Sequence, residues 1–268
     1  MPRTGKQSNN HIIMLFSNIA YGPIHSRRLG TSLGMELMPL EHKLCTFDCV
    51  YCECGFNQPV SHPVLPTREE VRRALTEKLQ ALQSEGTNID VITFSGNGEP
   101  TLHPDFHGII LDTCALREEY FPKAKVSVLS NSTQLTRPDV VEALRLCDNR
   151  ILKLDSAIDS TMRAIDQPVN KDLTVSTLMH LLQQFDGDFT LQTCFLRGDH
   201  NGVHIDNTTP GEVQAWYDAV DMLHPKQIMM YVIDRATPVK TLEKVSRDDM
   251  ERIAAPLRAK GYDVIVSA

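Results

Sequence analysis

Short apolar runs recur along the chain with an amphipathic segment after each, and this alternation limits the fold more than any other feature. The runs lie at 32–38, 90–95, 125–130, 150–155, 189–196, 227–233 and 263–266, and most are near-continuously hydrophobic. A strand with one wet face alternates apolar with polar, whereas a strand covered on both faces does not. The runs therefore predict a parallel sheet with helices packed on it. Between the first two runs, Val71, Leu75, Leu79 and Leu82 fall at helical spacing within 67–84. Five more helices are predicted at 105–119, 138–146, 172–184, 211–223 and 246–260. Thr67 with Glu70 has the pattern of a capping box, Ser246 precedes Asp248 and Asp249 in a first turn, and Gly261 follows the last helix.

Six such units predict an α/β chain built as a doubly wound sheet or a full or partial (β/α) barrel; eight full units fit poorly in 268 residues. No composition shift, linker or repeat divides the chain, so one domain over 1–268 is expected, with 1–31 and 54–66 irregular. With 41% apolar and 23% charged residues, a disordered chain or a small disulfide scaffold is excluded. The 27 basic against 34 acidic residues give a net charge of −7, so no global positive field draws the chain to nucleic acid or anionic lipid. A nucleic-acid substrate would need a local basic patch. The apolar run at 12–16 is too short for a signal-peptide core or a membrane span, and a cytoplasmic location with no membrane partner is expected.

Four of the seven cysteines, Cys45, Cys49, Cys52 and Cys54, fall within ten residues. Such clustering points to metal or redox chemistry rather than to disulfides. Cys45, Cys49 and Cys52 form a C-x3-C-x2-C run on one short loop. Three thiolates can cup an iron–sulfide cube and leave its fourth iron free of protein, whereas a ferredoxin-type carrier uses four. A closed zinc site using Cys54 as fourth ligand is the alternative, although zinc loops usually separate two C-x2-C pairs by a dozen or so residues. Cys114, Cys147 and Cys194 sit in apolar segments and read as small core residues.

The run C-x3-C-x-aromatic-C, with Tyr51 in the aromatic place, resembles the signature of the radical S-adenosylmethionine (radical SAM) superfamily. The segment from Ser95 through Gly96, Asn97, Gly98 and Glu99 to Pro100 and Thr101 resembles that superfamily's Gly-Gly-Glu element, with Asn97 breaking the doublet. Tyr21-Gly22-Pro23-Ile24-His25-Ser26-Arg27-Arg28-Leu29-Gly30 and Tyr231-Val232-Ile233-Asp234-Arg235 are similar to the Fe-S oxidoreductase branch grouped with wyosine-tRNA synthases. The resemblance implies a partial (β/α)6 TIM-type barrel of parallel strands, with core 32–234 and a C-terminal helix and strand over 235–268.

It also implies a four-iron four-sulfur (4Fe-4S) cluster on Cys45, Cys49 and Cys52. S-adenosyl-L-methionine bound at the open iron would be cleaved by one electron to a 5′-deoxyadenosyl radical that takes hydrogen from a substrate. A reductant such as flavodoxin or ferredoxin is then a partner, and the substrate is a small molecule, a protein glycine or a tRNA nucleoside. Tyr51, Ser95, Gly96, Asn97, Gly98 and Glu99 are implied to meet the cofactor, the glycines by close backbone approach and Glu99 by accepting from the methionine ammonium. Ser130 and Asn131 suit ribose hydroxyls, Lys153 suits a carboxylate, and Asp155 and Arg197 are further cofactor candidates at strand ends. Asp234 and Arg235 are expected on the substrate side. Arg27 and Arg28 beside His25 form the only locally basic spot near the expected site, fit to grip a phosphate or carboxylate.

Overall fold

Strands covered on both faces dominate the computed structural model, which describes residues 15–26 and 28–268. Most of the 12–16 run and Arg27 lie outside the described residues. In chain order the strands are β1 (Ala20–Ser26), β2 (Gly30–Met35), β3 (Val91–Phe94), β4 (Lys125–Ser130), β5 (Asn149–Lys153), β6 (Thr190–His200), β7 (Val203–Asp206), β8 (Gln227–Val232), β9 (Leu242–Lys244) and β10 (Val264–Ser267). From β2 through β3, β4, β5, β6 and β8 to β10 every neighbouring pair is parallel. This sheet curls into a partial TIM-type barrel with β1 at one edge and β10 at the other.

The helices are α1 (Arg68–Ser84), α2 (Phe106–Tyr120), α3 (Pro138–Leu146), α4 (Asp159–Asp166), α5 (Val175–Leu182), α6 (Pro210–Leu223) and α7 (Arg247–Ala259). The predicted capping box closes α1: the Thr67 side chain accepts from Glu70 N, and the Glu70 carboxylate accepts from Thr67 N. Val71, Leu75, Leu79 and Leu82 are buried as their spacing required.

Two expectations are corrected. The count of six helices omits α4, only eight residues long, which ends on Gln167 in a left-handed turn at φ 43°. Its apolar contribution is Met162 and Ile165, too short a stripe to register as periodicity. The segment 1–31 also contains β1, which pairs antiparallel with β2. That hairpin needs Gly34, because a Cβ there would lie inside the Tyr21 ring. Beyond the barrel wall β6 runs on past its parallel neighbours and takes β7 and β9 as antiparallel partners.

Helix α6 is fastened to β6 by Trp216, which is buried with its Nε1–H donated to Thr193 Oγ1 at 3.0 Å. Its ring meets Phe195 edge-on at 5.2 Å between centroids. Trp216→Ala is expected to lower unfolding free energy by about 3–5 kcal/mol in denaturant titrations followed by circular dichroism, the range for deleting a buried aromatic. A loss below about 1 kcal/mol would show that α6 is not needed to hold the sheet.

Candidate active site

The cysteines lie on a segment with almost no secondary structure, so its backbone polar groups must find partners elsewhere. At its start Leu44 pairs with the turn after β3: Leu44 N donates to Asn97 O at 3.0 Å and Glu99 N donates to Leu44 O at 3.1 Å. In its middle, Asp48 N donates to Asp166 O and Val50 N to Ile165 O, both at 2.9 Å, which docks the loop on the C-terminal end of α4. Asn57 clamps the near side, its Oδ1 accepting from Cys45 N and its Nδ2 donating to Cys45 O, each at 3.0 Å. From β4's end, Asn131 Nδ2 donates to Thr46 Oγ1 at 2.8 Å and lies 3.6 Å from Cys45 Sγ.

Cys45, Cys49 and Cys52 are half-buried and unbridged. Desolvation pushes the Cys45 thiol up to about 12 and Cys49 well above its ordinary value. The hydrogen bond with Cys54 pulls Cys52 down to about 6. Buried Lys43 donates to Asp48 Oδ1 at 3.1 Å and Gly55 O at 3.0 Å. Burial pulls its ammonium down, but Cys52, Cys45, Cys49 and Asp48 push it higher still. A fixed cation among soft thiol donors suits an iron–sulfur group, whose binding replaces thiol protons. Among the described residues no three His, Cys, Asp or Glu side chains converge on a single-ion site. A multi-iron cluster does not ask for that, since each thiolate holds its own iron.

Beside the loop, at the C-terminal strand ends, lies a cavity of about 530 Å3. Tyr51, Cys52, Cys54, Ser95 and Gly96 line it toward the loop, and Tyr231, Asp234 and Arg235 line it across the mouth. Of the residues expected at the cofactor, Tyr51, Ser95 and Gly96 thus face the cavity. Gly96 sits at φ 118°, with its carbonyl accepting from Cys54 Sγ at 3.2 Å.

The others are placed differently. Asn97 is fully buried, and its Nδ2 donates to Phe16 O at 2.9 Å and Pro39 O at 3.0 Å. Glu99 is buried outside the lining of this cavity, and its carboxylate accepts from Thr101 Oγ1 and Asn131 N at 2.5 and 2.6 Å. Gly98 approaches the Leu44 carbonyl, where a Cβ would fall, so its smallness serves the cysteine loop rather than a ligand. Ser130 is buried and accepts from Ser132 N at 3.1 Å. Arg197 spends its guanidinium on Thr208 Oγ1 at 2.7 Å and Asp249 at 3.3 Å and lines no part of this cavity.

Lys153 does point inward, into a buried network. Its Nζ donates to Tyr51 Oη and Asp155 Oδ2 and lies 2.6 Å from Asp166 Oδ1. Tyr51 Oη donates to Asp155 Oδ2 at 2.6 Å and accepts from Tyr231 Oη at 3.2 Å. Burial alone would pull the Lys153 ammonium down; Asp155 and Asp166 hold it well above its usual value. Lys43, Asn57 and Asp166 were not singled out from the sequence, because each acts through a partner that only the fold brings near.

A family model described as the radical SAM superfamily matches residues 42–185, more than half of the chain. The chain belongs to the radical SAM superfamily. It is an enzyme of that kind, and membership implies an iron–sulfur cluster and S-adenosylmethionine. A UPF0026 protein of Helicobacter pylori strain J99 is 27% identical over 234 residues, 87% of this chain and 71% of that protein. A Brachyspira hyodysenteriae protein named GTPase Obg is 27% identical over 235 residues, 87% of this chain. The match spans 32% of that protein, about a third of its length. The solved structure of TYW1 with a lysine-pyruvate adduct bound is 14% identical with a TM-score of 0.63, covering 86% of this chain and 74% of that one; the likeness is one of fold. No described helix is long and apolar enough to cross a membrane.

Two outcomes follow from the packing of the loop. Gly98→Val is expected to lower iron retained after anaerobic reconstitution, since the side chain displaces Leu44 next to Cys45; full iron content would place the strain elsewhere. Lys153→Met strands buried carboxylates and is expected to cost roughly 3–5 kcal/mol. Without the ammonium the folded-state pKa of Asp166 rises further above its unfolded value, so stability falls as pH rises, and the loss at about pH 8 should exceed that at about pH 5 in thermal melts. Equal losses at both would show that the carboxyls are not what the ammonium neutralises.

Proposed function

We propose that Cys45, Cys49 and Cys52 hold a four-iron four-sulfur cluster with one iron free of protein ligand, and that S-adenosylmethionine occupies the adjoining cavity. The observation that carries this reading is the placement of three unbridged thiols on one loop whose last ligand, Cys52, lines that cavity together with Gly96. When bound, the two groups supply a 5′-deoxyadenosyl radical by one-electron cleavage of the cofactor, with the electron drawn from a reductant such as flavodoxin or ferredoxin, and this radical takes hydrogen from a substrate C–H.

The chain's own part is orientation and exclusion of water. Lys43 balances thiolate charge and ties the loop to Gly55. Glu99 holds the Asn131 backbone, and Asn131 in turn holds Thr46, so both are positioning residues for the loop. Ser95 and Gly96 line the cavity and present polar groups to the methionine end of the cofactor, and Gly96 is small because a Cβ there would strike the Glu36 carboxylate. Lys153 and Asp155 fix the Tyr51 ring against the same cavity.

Anaerobically reconstituted protein is expected to hold about four irons per chain. With dithionite and S-adenosylmethionine it should release 5′-deoxyadenosine even without substrate. Cys45→Ala, Cys49→Ala or Cys52→Ala should abolish both results, whereas Cys54→Ala and Cys114→Ala should keep the iron. Stoichiometric zinc without iron, or loss of iron in Cys54→Ala as complete as in Cys52→Ala, would overturn the ligand set.

A further inference from the structure

The cations that reach the interior of this protein come with their own counter-charges. Lys43 faces Asp48 at 3.1 Å, Arg150 faces Asp188 at 2.6 Å, and Lys153 faces Asp155 and Asp166. Arg28 does not follow this pattern. It is half-buried in the turn between β1 and β2 and reaches into the barrel, where its guanidinium lies 4.8 Å from the centroid of the Tyr231 ring. Its Nη1 donates only to the Met229 thioether, at 3.8 Å. Among the described residues no carboxylate pairs with it.

A guanidinium carries five N–H donors in a planar fork that matches two oxygens of a carboxylate or phosphate, and a thioether is a weak acceptor. The Tyr231 ring face offsets part of the cost of holding this charge partly out of water, but the guanidinium N–H donors still lack an oxyanion to complete them. The acids lining the same cavity are already engaged: Glu53 faces Arg235 at 2.8 Å and Asp234 faces Lys244 at 3.5 Å.

Position adds to chemistry. Arg28 borders both the cavity at the C-terminal strand ends and a larger one of about 910 Å3 at the opposite end of the barrel, so its side chain forms part of the floor between them. The turn that aims it is fixed by Ser26 Oγ, which accepts from Arg28 N at 3.3 Å and from Leu29 N at 3.1 Å. A molecule anchored there by one end would extend across the cavity toward Cys52 and Gly96.

We propose that Arg28 is the anion-binding residue of the substrate pocket and that the molecule acted on carries an oxyanion, a carboxylate or a phosphate. The proposal rests on the reading of the upper cavity as the reaction site. It is tested on the cluster-loaded wild type by labelling arginines with phenylglyoxal and mapping the label by peptide mass, with inorganic phosphate and acetate as probes. Arg28 should be labelled, and phosphate or acetate should slow that labelling at least about five-fold, the anion effective at the lower concentration identifying the group. By calorimetry Arg28→Gln should weaken binding of that anion at least about ten-fold, and Arg28→Lys should recover part of it. Absence of protection by either anion would overturn the proposal. So would loss of protection in Lys125→Gln, whose residue lines the opposite cavity, because the anion would then sit below the floor. Failure of the wild type to release 5′-deoxyadenosine would instead count against the reaction itself.

Discussion

A loop without regular structure must export its backbone hydrogen bonds, and the rest of this site depends on where the cysteine loop sends them. Some go to the turn after β3 and others to the end of α4, two places far apart in sequence that the curled sheet brings to one mouth. The loop is thus held at its start, middle and near side by Gly98, α4 and Asn57, and from β4 by Asn131. An irregular segment becomes an ordered cup by borrowing order from four places in the fold, which is what the proposed role of its three thiols requires if all are to meet one group at once.

Behind the cup lies a second constraint. Lys153, Asp155, Asp166 and the Tyr51 hydroxyl form a buried polar group of four, stable only because each member satisfies another. Its members come from β5, the residues just after it, the end of α4 and the cysteine loop. The network therefore ties loop to barrel, since withdrawing the Lys153 ammonium leaves two carboxyls in a medium that tolerates their charge poorly.

Much of this architecture was legible in the chain. Doubly covered strands announce themselves by unbroken apolar runs, and α1 by a capping box and a stripe of four buried residues. The cysteine loop was legible because its thiols are contiguous in the chain. What escaped has a common cause. Helix α4 carries too few apolar residues to show a period, and Asn57, Lys43 and Asp166 act only through neighbours that are distant in the chain. Glu99 and Arg197 were matched to ligand groups by chemistry, but the fold supplies each with protein partners first. Gly98 was read as an opening for a ligand because smallness alone does not say what comes close.

That last glycine says something about how this kind of site can be moved. The pairing of Leu44 with Gly98 joins the ligand loop to a turn more than fifty residues away, so the cysteine run is not a self-contained cassette. Grafted alone onto another scaffold, it would carry the thiols but not the surfaces that shape them. The smallest transferable unit is the loop together with the glycine turn and the end of α4, which amounts to most of a half-barrel. A site distributed in this way changes by remodelling its mouth while the seam beneath stays intact.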